Sequence, residues 1–165
     1  MKLLREIIGY ALGCIIFVVA IPLLMWLLSG MPPIVHIGAL RATMTGVLMI
    51  GGIALSVWTI VYMRRIGNGN PMDAFNHEIA PRTQHLMTEG PYSLSRNPML
   101  SGTFVYLIGC CVWLFSWQTL VVFLVFVAVM LMQVHSEEKR LRRDFGDEYD
   151  SYCRRTGRFF PKRLK

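Results

Sequence analysis

Long apolar stretches alternate with polar ones along this chain and predict membrane-spanning helices. Residues 7–28 and 42–63 carry no charge, and each is long enough to cross a hydrocarbon core of about 30 Å. Residues 97–136 are also uncharged and would form a helix about twice as long as that core is thick, so the chain must cross twice there. The polar interruption at 115–118 predicts the turn between spans 99–114 and 119–134.

The first apolar stretch follows a basic start with Lys2 and Arg5, which also occurs in secretory signals. Its apolar part exceeds the roughly 7–15 residues usual in a signal, and no clean cleavage site follows it. We therefore expect an uncleaved helix, kinked at Pro22. The second stretch contains small residues that permit close helix approach without specifying a partner: Gly46, Gly51, Gly52, Ala54 and Ser56.

Two polar segments complete the chain, a loop at 64–98 and a tail at 135–165. In the loop, the glycines of 67–71 lack the spacing of a dinucleotide fingerprint and are typical of turns. Asn97-Pro98 predicts a helix start at Pro98 or Met99. Tail residues recurring at three- and four-residue steps predict a helix interrupted near Gly146: Glu138, Leu141, Phe145, Tyr149 and Tyr152. The alternative is an amphipathic helix lying on lipid headgroups.

Composition and charge place this pattern in a membrane. The chain has 165 residues, of which 54% are hydrophobic and 16% charged, with a mean hydropathy of +0.46. These values are too apolar for a soluble domain of this length and predict a single all-α polytopic membrane helix bundle with about four transmembrane helices and a helical cytoplasmic tail. Of the 17 Lys and Arg residues, all but Arg41 fall on one side of this arrangement. The positive-inside rule then places both termini and the 64–98 loop in the cytoplasm.

The net charge of +7 is explained by this topology and by anionic lipid headgroups, so we expect no nucleic-acid partner. The four cysteines show no metal-binding or disulfide spacing, and we expect free thiols and no metal site: Cys14, Cys110, Cys111 and Cys153.

The loop and the tail meet in this topology, and both offer groups for a ligand. A helix beginning at Pro98 would direct its unpaired N–H groups and positive dipole end toward Arg96 and Asn97, where a carboxylate could bind. An ordinary helix start and a headgroup anchor at Arg96 are the plainer alternatives. Glu137 and Glu138 stand side by side where the fourth span ends, and acidic residues at a membrane edge are costly enough to favour a functional role.

Two motifs resemble a known superfamily. Residues 90–99, GPYSLSRNPM, are similar to the GxYxxxRHPxYxG or RNPMYxG segment of the isoprenylcysteine carboxyl methyltransferase and phospholipid methyltransferase superfamily. Residues 137–152 resemble its EExxLxxxFGxxYxxY segment, and RFFP at 158–161 resembles its closing segment. The resemblance covers about half the chain and implies a small integral methyltransferase of the bacterial inner membrane type.

The resemblance further implies that S-adenosylmethionine binds between loop and tail and that its methyl group passes to a lipophilic or lipid-borne carboxylate, amine or thiol. Glu137 would balance the cofactor's cation. Glu138 and Arg96 are the candidate catalytic residues, with Glu138 orienting a neighbour or assisting deprotonation. The positions that match the family's cofactor contacts are Gln84, His85, Leu86, Met87, Tyr92, Asn97, Pro98, Met99, Leu100 and Glu137.

Three positions depart from the family pattern. Asn97 replaces a His that several branches also lack, and Leu100 replaces a Tyr. Gln133 stands where the prenylcysteine enzymes carry an Arg, which argues against carboxyl methylation of prenylcysteine. A membrane reductase related to the sterol reductases, using a nicotinamide cofactor, and a non-catalytic adaptor of the same fold are the alternative functions. The sequence leaves the acceptor and the oligomeric state open.

Overall fold

The computed structural model describes residues 13–32, 37–66 and 86–162, together with two short strands in the intervening loop. A π-helical turn, Ile15–Ala20, runs into helix α1, Ile21–Leu28. The further helices are α2 (Ala39–Ile66), α3 (Pro91–Leu94), α4 (Pro98–Leu114) and α5 (Trp117–Arg155). Strands β1 (Asp73–Ala74) and β2 (His77–Glu78) pair antiparallel. The predicted helical architecture is confirmed, with this small ladder as an unpredicted addition.

Two of the helices, α2 and α5, are long and apolar enough to cross a membrane. Their outer faces expose large apolar side chains such as Val47 (66%), Ile50 (71%) and Met132 (66%), a surface suited to lipid. The apolar segments Ile15–Leu28 and Pro98–Leu114 are shorter, and the 17 residues of α4 span about 25 Å. The chain therefore has the helices of a membrane protein, while four crossings stay a prediction.

Pro22, predicted to kink the first helix, lies just after the π-helical turn. Proline has no N–H, and its ring crowds the carbonyl four residues earlier, which here belongs to Val18. The chain widens into the π-helical turn just before Pro22, and the Tyr106 hydroxyl of α4 donates to the Val18 carbonyl at 3.1 Å. In an apolar environment, this bond satisfies the oxygen that proline leaves unpaired.

Helices α2 and α4 pack against each other through glycine. A Cβ on Gly52 would lie 2.5 Å from the Gly102 carbonyl oxygen, and one on Gly102 would lie 2.6 Å from the Gly52 oxygen. The Ser56 hydroxyl also donates to the Met99 carbonyl at 3.1 Å. By contrast, Gly46 and Gly51 face open space. Of the small residues expected to permit close helix approach in the second span, Gly52 and Ser56 therefore form the contact with α4.

The other end of α4 is closed by Arg41, from the start of α2. Its guanidinium donates to the carbonyl oxygens of Val112, at 2.7 Å, and of Trp113, and lies over the Phe115 ring. These are among the last carbonyls of α4, which a cation near the helix C-terminus stabilises. The contact shows that α2 and α4 run antiparallel, and residues 115–116 alone connect α4 to α5.

The described core lies between α1, α4 and α5. Phe104 makes edge-on ring contacts with Phe123 and Phe126, and Leu107 and Met25 are fully buried beside them. Phe104 also contacts Phe159, which comes from beyond the last helix. The C-terminal segment, defined here as residues 157–161, is thus packed onto the helices.

Helix α5 changes direction at Gly146, where the sequence predicts an interruption. Gly146 has φ 49° and ψ −124°, a conformation that side chains with a Cβ rarely adopt. The nine residues that follow bring Tyr149 and Tyr152 back toward the loop that precedes α4. This bend creates the site described next.

Candidate functional site

A cavity opens where the loop before α4 meets the two halves of α5. It encloses about 540 Å³, including its open mouth. Apolar, aromatic and charged side chains share its wall: Met63, Leu86, Met87, Tyr92, Arg96, Asn97, Glu137, Glu138, Leu141, Phe145, Tyr149 and Tyr152. Because Leu141 and Phe145 precede Gly146 while the two buried tyrosines follow it, the bend sets the shape of the cavity.

The loop is held in place by the C-terminal segment. The N–H of Arg96 donates to the Gly157 carbonyl at 2.8 Å, and the N–H of Asn97 to the Arg158 carbonyl at 3.2 Å. The side-chain amide of Asn97 donates to that same Arg158 oxygen, and Ser101 donates to the Phe159 carbonyl. The start of α4 is therefore fixed by backbone acceptors located some sixty residues later in the chain.

Glu138 is the electrostatic centre of the site. Its side chain is 5% exposed, and Arg96 Nη1 lies 2.8 Å from its Oε1. Arg158 forms a two-pronged pair with the same carboxylate, Nε to Oε1 at 3.1 Å and Nη2 to Oε2. A buried charge is tolerated when it is paired and hydrogen-bonded in this way. The hydrogen bonds that Arg158 donates to the Glu138 carboxylate raise the pKa of Arg158 above its ordinary value.

The Arg96 guanidinium also contacts side chains other than Glu138. Its Nη1 also contacts the Cys153 sulfur at 2.7 Å and the Tyr149 hydroxyl at 3.4 Å. Its Nε, although buried, has no hydrogen-bond partner among the described residues. An unsatisfied buried donor costs about 1–3 kcal/mol, so this atom favours a ligand that brings an acceptor.

Two buried tyrosines close the wall beyond Gly146. Tyr152 donates to the Tyr92 carbonyl at 2.6 Å, which ties the tail to helix α3. Burial, together with the negative charge of Glu138, raises the pKa of Tyr149 well above its ordinary value; for Tyr152 burial is again the largest cause. Both hydroxyls therefore stay protonated at physiological pH, where Tyr152 donates to the Tyr92 carbonyl and Tyr149 accepts from Arg96.

The structure brings together many of the residues predicted from sequence. The cavity wall contains Glu138 and Arg96, and also Leu86, Met87, Tyr92, Asn97 and Glu137. Pro98, Met99 and Leu100 belong to the first turn of α4 and are not among the lining residues. Gln84 and His85 lie outside the described residues. The Glu137 side chain is 39% exposed and lies 4.0 Å from Arg140.

Several site residues were not predicted as ligand contacts. The shared helix face of Leu141, Phe145, Tyr149 and Tyr152 was visible in their spacing, but not that it faces a cavity. Arg158 belongs to the RFFP segment that resembles the family's closing motif, but the sequence assigned it no role in the site. Met63 carries no sequence pattern that marks it as a site residue, because only the packing of α2 brings it there.

The fold and site define a class before any comparison: a helical membrane protein with a charged, aromatic-walled ligand cavity at one end of its helices. The profile of the phospholipid methyltransferase family matches residues 40–148, well over half of the chain, and the chain belongs to this family. The resemblance inferred from the two motifs is thereby confirmed.

A curated relative gives a more limited comparison. The nickel-cobalt-cadmium resistance protein NccN of Alcaligenes xylosoxydans xylosoxydans is 35% identical over 82 residues, which are 49% of this chain. The matched part covers 38% of that protein, so the chain spans well under half its length. No solved structure matches the chain.

Proposed function

We propose that this chain is a multi-pass membrane enzyme that uses S-adenosylmethionine to methylate a lipophilic acceptor, and that the cavity is its cofactor site. The observation that carries the proposal is the combination, in one wall, of the buried Arg96 Nε, which no described residue partners, and the partly exposed Glu137 carboxylate. Methyltransferases of this family generally depend on S-adenosylmethionine. That molecule presents a carboxylate and a sulfonium cation, which require a donor and an anion, respectively.

The lining residues fit such a ligand. Arg96 Nε would donate to the carboxylate, while Glu137 and the aromatic faces of Tyr92 and Phe145 would favour the cation. When bound, S-adenosylmethionine supplies an electrophilic methyl group. The remaining task of the chain is to position the reactants and exclude water, to which Leu86, Met87 and Leu141 contribute apolar surface.

Glu138 and Arg96 form the central pair of the proposed site. Glu138 already forms ion pairs with two guanidinium groups and accepts hydrogen bonds from Arg158, so its geometry supports the orienting role rather than proton abstraction. The other motif positions remain proposed cofactor contacts: Gln84, His85, Asn97, Pro98, Met99 and Leu100.

The proposed topology has four crossings with both termini in the cytoplasm. The cavity then lies at the cytoplasmic end of α4 and α5, where a lipid-borne acceptor can approach from the bilayer. Arg41, the exception to the charge rule, supports this arrangement because its guanidinium is bound to the end of α4 and the Phe115 ring. It serves as a helix cap and is not a free topological charge.

Calorimetric titration of the detergent-purified protein tests the function. We expect saturable binding of S-adenosylmethionine and S-adenosylhomocysteine and none of NADPH. Binding of NADPH alone would favour the reductase alternative, and binding of neither would remove the cofactor proposal. Transfer of a labelled methyl group into a lipid extract would then identify the acceptor, and binding without any transfer would favour an adaptor.

A further inference from the structure

We propose that Arg158 is a positioning residue that keeps Arg96 Nε available to the ligand by competing for the Glu138 carboxylate. The inference rests on the proposed function, since it concerns the same site. It assigns a role to a side chain that is not among the residues lining the cavity.

The geometry shows an uneven division of one carboxylate between two arginines. Arg158 engages both oxygens of Glu138 through Nε and Nη2, the fork-like arrangement that suits a guanidinium and a carboxylate. Arg96 reaches only Oε1, through Nη1. The buried Nε of Arg96 has no hydrogen-bond partner among the described residues.

Loss of the Arg158 side chain would remove this competition. Glu138 is 4% exposed, and an unpaired buried carboxylate is costly, so its freed oxygen favours a new partner. The nearest cation is Arg96, and a two-pronged pair between Glu138 and Arg96 would consume the Nε donor. The site would remain folded but would lose the donor that the ligand carboxylate requires.

The positioning role of the Arg158 side chain can be tested separately from the main-chain contacts that hold the loop before α4. Its carbonyl oxygen accepts from the backbone and side chain of Asn97, and Ser101 donates to the Phe159 carbonyl. A side-chain substitution at Arg158 leaves all these acceptors in place. Arg142 provides a matched control, because it pairs with Asp150 at 3.1 Å while both side chains are about half exposed and outside the cavity wall.

The test is calorimetric titration of purified variants with S-adenosylhomocysteine, with thermal unfolding measured alongside. Arg158→Ala should weaken binding by roughly ten- to a hundredfold, and Arg158→Lys by nearly as much because an ammonium cannot form the two-pronged pair. Arg142→Ala should bind within about twofold of the wild type, as expected for an exposed pair. Millimolar guanidinium should restore part of the affinity of Arg158→Ala, and sodium at equal concentration should not.

The double variant Glu138→Gln/Arg158→Ala distinguishes positioning from structure. If Arg158 acts through Glu138, the double variant should bind no more weakly than Glu138→Gln alone. Fully additive losses, or wild-type affinity in Arg158→Ala, would overturn the inference. Absence of binding in the wild-type protein would instead overturn the proposed function on which it rests.

Discussion

At the scale of single residues, the most informative feature of the site is a buried polar atom that lacks a hydrogen-bond partner among the described residues. Among the described residues, two buried side-chain polar atoms lack a partner, Thr45 Oγ1 and Arg96 Nε. Only Arg96 lines the cavity. Buried polar groups in folded proteins are nearly always satisfied, so an exception in a cavity wall indicates where a ligand atom belongs.

Glu137 and Glu138 should differ in function although they are adjacent. Glu137→Gln removes a charge from the cavity while keeping the shape of the side chain. If Glu137 faces the sulfonium, the affinity for S-adenosylmethionine should fall by about ten- to a hundredfold, the value of a charge-assisted contact of about 1.5–3 kcal/mol. The affinity for S-adenosylhomocysteine, whose sulfur is uncharged, should change much less.

Parallel titration of one preparation with both ligands measures this difference. Asp150→Asn is a suitable control, because it also removes a carboxylate from the tail but faces Arg142 outside the cavity. Equal losses for the charged and uncharged ligands in Glu137→Gln would exclude the proposed electrostatic role and leave Glu137 as a contact to another part of the cofactor.

At the scale of helices, the molecule depends on a glycine contact between α2 and α4. Gly51 and Gly52 are neighbours in sequence and differ in environment, since a Cβ at 51 meets nothing within 4 Å and one at 52 meets backbone atoms of Gly102 and Tyr106. Backbone atoms cannot move aside as a flexible side chain can. Close packing of small residues is the usual means by which membrane helices associate.

Gly52→Ala should therefore destabilise the protein by about 1–3 kcal/mol, the cost of overpacking a tight contact. Gly51→Ala should be neutral or stabilising by up to about 1 kcal/mol, because alanine has the higher helix propensity. Thermal or denaturant unfolding in detergent compares the two. Similar stability of both variants would show that α2 and α4 do not approach each other as closely as described.

The sequence predicts these helices better than it predicts their contacts. The turn at 115–116 and the break at Gly146 follow from local signals, a polar interruption and a glycine in a helical pattern. The cap by Arg41 and the pairing of Glu138 with Arg158 join residues 71 and 20 positions apart, respectively, and depend on how the helices pack. The predicted topology already brought loop and tail together, and the motif resemblance indicated that they form one cofactor site.

At the scale of the whole molecule, the charge pattern and the helix arrangement predict the same membrane topology. The antiparallel contact of α2 and α4 brings Met63 at the end of α2 into the wall of the same cavity as Arg96 at the start of α4. The connection between α4 and α5 lies at the opposite end, beside Arg41. The cavity and the 115–116 connection should therefore face opposite sides of the membrane.

Labelling of single cysteines in a background without the four native cysteines tests this sidedness. Trp117→Cys lies at the start of α5 and replaces a residue that is 72% exposed, whereas Lys162→Cys lies in the exposed tail. In intact cells, a membrane-impermeant maleimide should label position 117 and reach position 162 only after the membrane is permeabilised. Labelling of both positions from the same side would exclude an odd number of crossings between them. The tail and the α4–α5 connection would then lie on the same side of the membrane, contrary to the proposed topology.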